Sequence, residues 1–440
     1  MHRTVGIGGA TLKRRQIVII GGGFGGLTAA QTLRNVDADI TLIDRTNYHL
    51  FQPLLYQVAT ASLAPSDITA PIRWILRRQL NTTVFLGEVR SVDVARKIVR
   101  MDYENREIPY DFLIIAAGSR HAYFGHDQWE PLAPGLKAIE DGSEIRRRFL
   151  LAFERAEKST TEAERDAYLT FVIVGGGPTG VELSGALPTI ARKALYPDFR
   201  HIDTRTTRVI LLEGGPRILP SFPESLASKA CRDLGEIGVE VRTSSVVTRI
   251  ERDAVYIGDE RISTRTVFWA AGNAASPIGA TLGVPTDRVG RVRVEPDLSI
   301  PGHPEVLVAG DMALVERKAE GKPPVPGVAP AANQEGRTAA RNVMRLMRGQ
   351  PTETFRYRNK GDLAAIGRSR AIADLGKVRF SGRLAWFFWL TLHIMYLVGF
   401  RNRLSVLLQW MYAYFTYQRG VRLITAAERR GELVPQPPPD

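Results

Sequence analysis

Apolar residues gather along this chain in short unbroken runs that end on glycine or a carboxylate. IVII at 17–20 runs into Gly21, and ITLID ends on Asp44. FLIIAAGS, 112–119, ends at Gly118; FVIV, 171–174, ends on Gly175; RVILLE ends on Glu213. VFWAAGN, 267–273, and VLVAGDMA, 306–313, close the series at Gly272 and at Gly310-Asp311. Strands apolar on both faces belong in the middle of covered parallel sheets. The glycine runs after Ile20 and Val174 open into helical text, and a further helix is predicted after Gln334. The pattern predicts an α/β protein with two Rossmann-like domains, the repeat lying 154 residues on.

Each strand–glycine–helix unit has the spacing of a dinucleotide cradle. In the first, Gly21 permits a tight turn, Gly23 lets backbone approach a pyrophosphate, and Gly26 lets helix and strand pack closely. The helix start offers free N–H groups and partial positive charge to phosphate. Asp44 follows Gly26 by 18 residues and can accept hydrogen bonds from ribose hydroxyls. Asp311, at the end of a strand, suits the ribityl hydroxyls of a flavin, so the first cradle is assigned to FAD. In the second, Gly175, Gly177 and Gly180 repeat the pattern, and Glu213 comes 33 residues later, after an insertion at about 192–207. A carboxylate there bonds adenosine ribose and repels a 2′-phosphate, which favours NADH over NADPH. Arg217 nearby could still meet a phosphate. Glu182 falls two residues past the third glycine, inside the predicted first helical turn. It is read either as a helix-dipole carboxylate or as a proton relay at the flavin–nicotinamide junction.

Composition narrows the electron acceptor. With 440 residues, more than one core is expected. Cys231 is the only cysteine, which excludes a disulfide acceptor or a cysteine-dependent sulfide oxidation and leaves oxygen, a small redox protein or a quinone. No metal site is predicted, and no apolar signal segment follows the basic N-terminus. The formal charge is +13, and from Gly376 to Thr425 there are seven Lys or Arg and no Asp or Glu. The same stretch holds LAWFFWLTLHIMYLVGF, 384–400, which is 17 residues without a formal charge, and LSVLLQWMYAYFTY, 404–417. The first is shorter than the ~20 residues that span a bilayer. Two amphipathic helices lying on an anionic lipid surface are the expectation, ahead of a buried dimer interface or a single span. No nucleic-acid motif accompanies the charge.

These features together resemble the type II NADH dehydrogenases, single-subunit flavoproteins that pass electrons from NADH to quinone without pumping protons. The resemblance runs from about 15 to 425 and is most specific in YHLFQPLLYQVATASLAPSDITAPIR, 48–73. It implies that Gln52 lies beside the flavin, that FLIIAAGS and VFWAAGN are chain crossovers bringing Gly118 and Gly272 to the cofactors, and that Glu182 belongs to a proton path. APAANQEG, 329–336, matches the family's quinone motif at Ala329, Ala332, Gln334 and Gly336, with Pro330 in place of a glutamine. By that match Ala329 is assigned to the flavin and Gln334 to the reaction. The implied arrangement is an FAD domain, 16–122 and 297–375, around an NADH domain, 123–296. Membrane-associated helices at 376–425 follow, between disordered ends at 1–15 and 426–440. The implied protein is a homodimer on the cytoplasmic face of a bacterial inner membrane, with NADH, a membrane quinone and anionic lipid as partners. A soluble NADH-dependent reductase of an iron–sulfur protein, an NADH oxidase, and a flavoprotein acting mainly as an interaction partner are the alternatives.

Overall fold

The computed structural model describes residues 14–103, 106–317, 321–417 and 421–424. The expected disordered tail lies outside these residues, as does all of 1–15 except Arg14 and Arg15; Arg15 opens the first strand. The elements that carry the argument are, in chain order, β1 (Arg15–Ile20), α1 (Phe24–Thr32), β2 (Ala38–Asp44), α2 (Leu55–Ala59), α3 (Ile72–Leu76), β3 (Thr82–Leu86), β4 (Phe112–Ile115) and α4 (Ile139–Lys158). Then come β5 (Thr170–Val174), α5 (Pro178–Thr189), β6 (Arg208–Leu212), β7 (Val239–Arg242), β8 (Thr266–Trp269), β9 (Ser299–Ile300) and β10 (His303–Val308). The chain ends with α6 (Ala329–Met347), β11 (Asp362–Gly367), β12 (Arg370–Asp374), β13 (Arg379–Ser381), α7 (Arg383–Tyr396) and α8 (Phe400–Thr416).

Two compact units form. The first takes the chain to His49, then Pro71–Arg120 and Ala274–Asn359; the second takes Leu50–Ala70, His121–Asn273 and everything from Lys360. The predicted boundaries run differently at three places, and packing explains each. Residues 274–296 join the first unit because Ile278, Leu282 and Val292 are buried in its core. Residues 50–70 join the second, where Leu55 and Val58 pack under Gly142 of α4. Residues 360–375 follow them, because β11 lies against Gly185 of α5, where an added Cβ would sit 2.4 Å from the Ile366 carbonyl oxygen.

The first unit is built on a six-stranded sheet of order β9-β10-β4-β1-β2-β3, parallel throughout except for β9. Its centre is apolar on both faces: Ile17, Ile19, Leu42 and Ile114 are fully buried. Ile20 stands level with Ile43 and with Ile115. Gly21, Asp44 and Gly118 therefore emerge together at the carboxyl ends of the strands, where open α/β sheets bind ligands. The second unit repeats this with β7-β6-β5-β8, all parallel, and Val174 level with Leu212 and Trp269.

The last 80 residues add a three-stranded antiparallel sheet, β11-β12-β13, and the helical pair α7–α8. Gly399, at φ +88, supplies the turn between the helices. α7 has 14 residues and α8 has 17, and no helix among the described residues is long and apolar enough to cross a membrane. α7 buries Ala385 and Trp389, and α8 buries Val406. The opposite faces are apolar and open: Phe400 is 80% exposed, Phe415 75%, Leu384 68% and Met395 66%, with Leu408 and Met411 between them.

Candidate functional site

The two glycine motifs are geometrically the same. Gly21 and Gly175 have φ of +99 and +110, a region that strongly favours glycine, and each turns its strand out of the sheet. A Cβ on Gly26 would lie 1.8 Å from the Gly21 carbonyl oxygen, and on Gly180 1.9 Å from that of Gly175. The helix therefore packs on the turn at a distance no other residue permits. Gly23 and Gly177, the helix N-caps, have nothing within 4 Å of an added Cβ. Backbone N–H groups are thus presented to open space at each helix start, the geometry a pyrophosphate needs.

The acids that end β2 and follow β6 are also placed alike. Asp44 accepts hydrogen bonds from Gly22 N at 2.5 Å and Thr46 N at 2.7 Å. Glu213 accepts from Gly176 N and from Gly215 N, both at 2.6 Å. Each carboxylate thus braces its own glycine loop, a role the spacing alone did not reveal. Arg217 donates to the Pro220 carbonyl at 3.0 Å. His49 adds a second brace in the first unit: buried, edge-on to Phe24, its Nδ1 lies 3.0 Å from the Gly22 carbonyl. Burial holds its pKa below the usual value, so the ring stays neutral and Nδ1–H donates.

Around the first cradle, Ser119 Oγ donates to Asp311 Oδ2 at 2.7 Å, while Gly118, at φ +69, faces open space. Ala329 opens α6, whose Gly336 crosses α1 at Gly25; a Cβ on Gly336 would be 2.1 Å from the Gly25 carbonyl oxygen. Gln334 is fully engaged: its amide donates to the Pro330 and Arg358 carbonyls at 3.1 and 3.0 Å and accepts from Arg358 N at 3.0 Å. Glu335, overlooked in the sequence, is buried and accepts from Gly310 N at 2.5 Å. Burial, with the nearby Asp311 charge, pushes it up to about 8.

In the second unit Gly272, at φ +70, closes over Ala122 and Phe124. Gln52 opens a 3₁₀ turn, half-buried, just ahead of α2. Glu182 is the fifth residue of α5, beyond the first turn, so a helix-dipole account of it does not hold. The residue keeps some surface, yet its carboxyl is deeply enclosed, and desolvation pushes its pKa up to about 8. It accepts from Ala365 N at 3.3 Å. The Trp389 indole N–H is buried beside it and favours the charged form without making a well-formed hydrogen bond.

Trp389 stacks on His393 at 4.1 Å and meets Trp410 and Tyr56 at 5.7 and 6.3 Å. His393 Nδ1 lies 2.6 Å from the Trp389 carbonyl, Phe51 stands edge-on to it, and burial lowers its pKa to about 4. Glu182 thus connects the helix of the second cradle to an aromatic cluster formed by both C-terminal helices. The polar side of α8 is used up within the unit. Asn402 donates to the Thr69 carbonyl, Ser405 and Gln409 to Asp67, and Trp410 to Gln57 Oε1 at 2.6 Å. The sequence signal for this cluster was polar residues interrupting apolar helical text: His393, Ser405 and Gln409. No group of acidic, histidine or cysteine side chains among the described residues could hold a metal ion.

Residues 15–336 match the pyridine nucleotide-disulphide oxidoreductase family, and 359–417 match the NDH2 C-terminal domain. The chain is 45% identical over 437 residues to the type II NADH:quinone oxidoreductase NdhA of Mycobacterium tuberculosis, covering 96% of this chain and 92% of that one. It belongs to the type II NADH:quinone oxidoreductases. A second relative from the same organism, the type II NADH:quinone oxidoreductase Ndh, is 43% identical, with 94% of this chain and 91% of that one covered. The fold is that of NDH2 from Plasmodium falciparum, solved in complex with NADH: TM-score 0.83 at 20% identity, over 94% of this chain and 100% of that one. The disulphide in the broad family's name has no counterpart here, since Cys231 stands alone.

Proposed function

We propose that this chain is an NADH:quinone oxidoreductase in which NADH, quinone and one proton give NAD⁺ and quinol, with FAD as the bound cofactor. The observation that carries this reading is Glu182, on the helix of the second cradle, enclosed against Trp389 of the C-terminal helical pair. The residues fit an FAD in the first unit: open backbone at Gly23 and Gly118, a helix start aimed at phosphate, and acceptor carboxylates on Asp44 and Asp311. When bound, FAD supplies the two-electron relay between nicotinamide and quinone.

The protein's own contribution is positioning and proton supply. Gly175, Gly177 and Gly180 hold the NADH pyrophosphate, Glu213 reads the ribose hydroxyls of its adenosine, and Gly272 closes the strand end beside it. Gly21, Gly23, Gly26 and Asp44 do the same for FAD, with Gln52, Gly118, Asp311 and Ala329 towards its flavin half. Glu182, held near half protonation around pH 8, donates a proton as quinone is reduced and regains it from solvent. Gln334 acts through the backbone it braces at Arg358. The apolar faces of α7 and α8 seat the protein peripherally on the membrane, on the cytoplasmic face, as a homodimer. A soluble reductase or oxidase has no use for those faces.

The test is anaerobic. NADH should bleach the flavin absorbance with one equivalent, and a short-chain quinone should restore it. Bleaching that oxygen alone reverses would make the chain an oxidase, and no bleaching would remove the NADH assignment.

A further inference from the structure

Part of the charge expected to meet an anionic membrane is engaged within the protein. Of the seven basic residues between Gly376 and Thr425, Arg379 pairs with Asp374, Arg422 with Asp198, and Arg403 donates to the Leu397 carbonyl. Arg419 lies outside the described residues. A second stretch is similarly cationic. From Ile68 to Gly87 there are twenty residues with Arg73, Arg77 and Arg78 and no Asp or Glu. All three arginines are exposed, and none makes an ion pair among the described residues.

Their setting is built for an interface. Ile72 and Leu76 anchor α3 in the core of the first unit, so the opposite side cannot turn inward. That side carries Trp74, 48% exposed, and the turn after it ends in Leu80, 98% exposed. The Arg77 guanidinium lies 4.3 Å from the centre of the Trp74 ring and donates to the Trp74 carbonyl at 2.6 Å. An amphipathic aromatic flanked by arginines, with a bare leucine beside it, matches the headgroup boundary of a bilayer.

We infer that Arg73, Trp74, Arg77, Arg78 and Leu80 form a second membrane contact that recognises anionic phospholipid headgroups. It rests on the peripheral-membrane reading above and divides the labour: α7 and α8 supply apolar insertion, and this patch supplies the preference for negative lipid. Each arginine near a charged surface strengthens binding about fivefold, so three contribute about a hundredfold at low salt.

The experiment is co-sedimentation of the full-length flavoprotein with vesicles of phosphatidylcholine alone and of phosphatidylcholine with phosphatidylglycerol. Wild type should bind the anionic vesicles more tightly. Arg73→Gln/Arg77→Gln/Arg78→Gln should lose most of that preference, bind neutral vesicles as wild type does, and oxidise NADH with a soluble acceptor at the wild-type rate. The triple Arg→Lys variant should restore the preference. Trp74→Ala should weaken binding to both vesicle types several-fold. A triple Gln variant that keeps the full anionic preference overturns the assignment of this patch while leaving the membrane reading standing. Wild type that sediments with neither vesicle overturns both.

Discussion

Replacing Glu182 with Gln separates chemistry from architecture. The side chain keeps its size and its bond from Ala365 N but can no longer ionise. In the wild type, desolvation raises the carboxyl from an ordinary 4.5 to about 8. The folded state therefore holds a proton that the unfolded chain releases from about pH 4.5 upward. A raised pKa stabilises the fold fully below the unfolded value, and that stability is lost as pH climbs towards the folded value. Each pH unit in this window costs about 1.4 kcal/mol, and the whole window costs about 5 kcal/mol at most. Glu182→Gln has no such loss. It should match wild type near pH 4.5 and become progressively more stable between pH 5 and 8, gaining a few degrees or more in Tm at pH 8. Quinone reduction should fall at the same time, by about 100-fold if proton donation limits turnover, while flavin content stays full. The assays are thermal unfolding followed by flavin fluorescence at pH 5, 6.5 and 8, and steady-state reduction of a soluble quinone over the same range. A variant less stable than wild type at pH 8, with an unchanged pH–rate profile, would refute both the buried neutral carboxyl and the proton path.

Four further outcomes follow from the geometry. Gly180→Ala places a Cβ 1.9 Å from the Gly175 carbonyl oxygen and should destabilise the second unit by about 3 kcal/mol, seen in thermal unfolding. Gly177→Ala meets nothing within 4 Å and should fold normally, yet raise KM for NADH about tenfold by blocking the phosphate. Glu213→Gln should narrow the preference for NADH over NADPH about tenfold, read from the two kcat/KM values; an unchanged ratio means that Glu213 does not read the ribose. Phe400→Ser/Leu408→Ser/Phe415→Ser should release the protein from vesicles with its soluble-acceptor activity intact, because those side chains point away from the contacts of α8. This is a cleaner test than deletion from Ser381, which would also strip Trp389 and Trp410 from Glu182 and Gln57.

The glycine turns and the acids at the ends of their second strands were legible because each depends on local sequence: apolar runs of strand length, glycines at fixed offsets and an acid at a strand end. The helix–turn–helix at the C-terminus was legible from length and composition. Contacts between segments distant in sequence were not. Nothing near Asp67 announces Ser405 and Gln409, and nothing near Glu182 announces Trp389, more than 200 residues away. Counting charge also could not reveal the bonds of Arg379, Arg403 and Arg422, which exist only once the chain has folded. Glu182 falls just past the first turn in which it was expected, because a glycine motif predicts where a helix begins only approximately.

On the proposed reading Glu213 carries two duties with one carboxylate: the oxygens that would read ribose also fasten Gly176 and Gly215. Coenzyme choice and loop rigidity are therefore not independent traits. A lineage drifting towards the phosphorylated coenzyme cannot simply discard the acid. Doing so would leave two backbone donors without an acceptor and loosen the turn that must hold either dinucleotide. Any such transition has to pass through a replacement that still accepts from both, or be preceded by a new acceptor elsewhere in the loop. The same coupling warns an engineer that a one-residue switch at this position will trade selectivity for affinity.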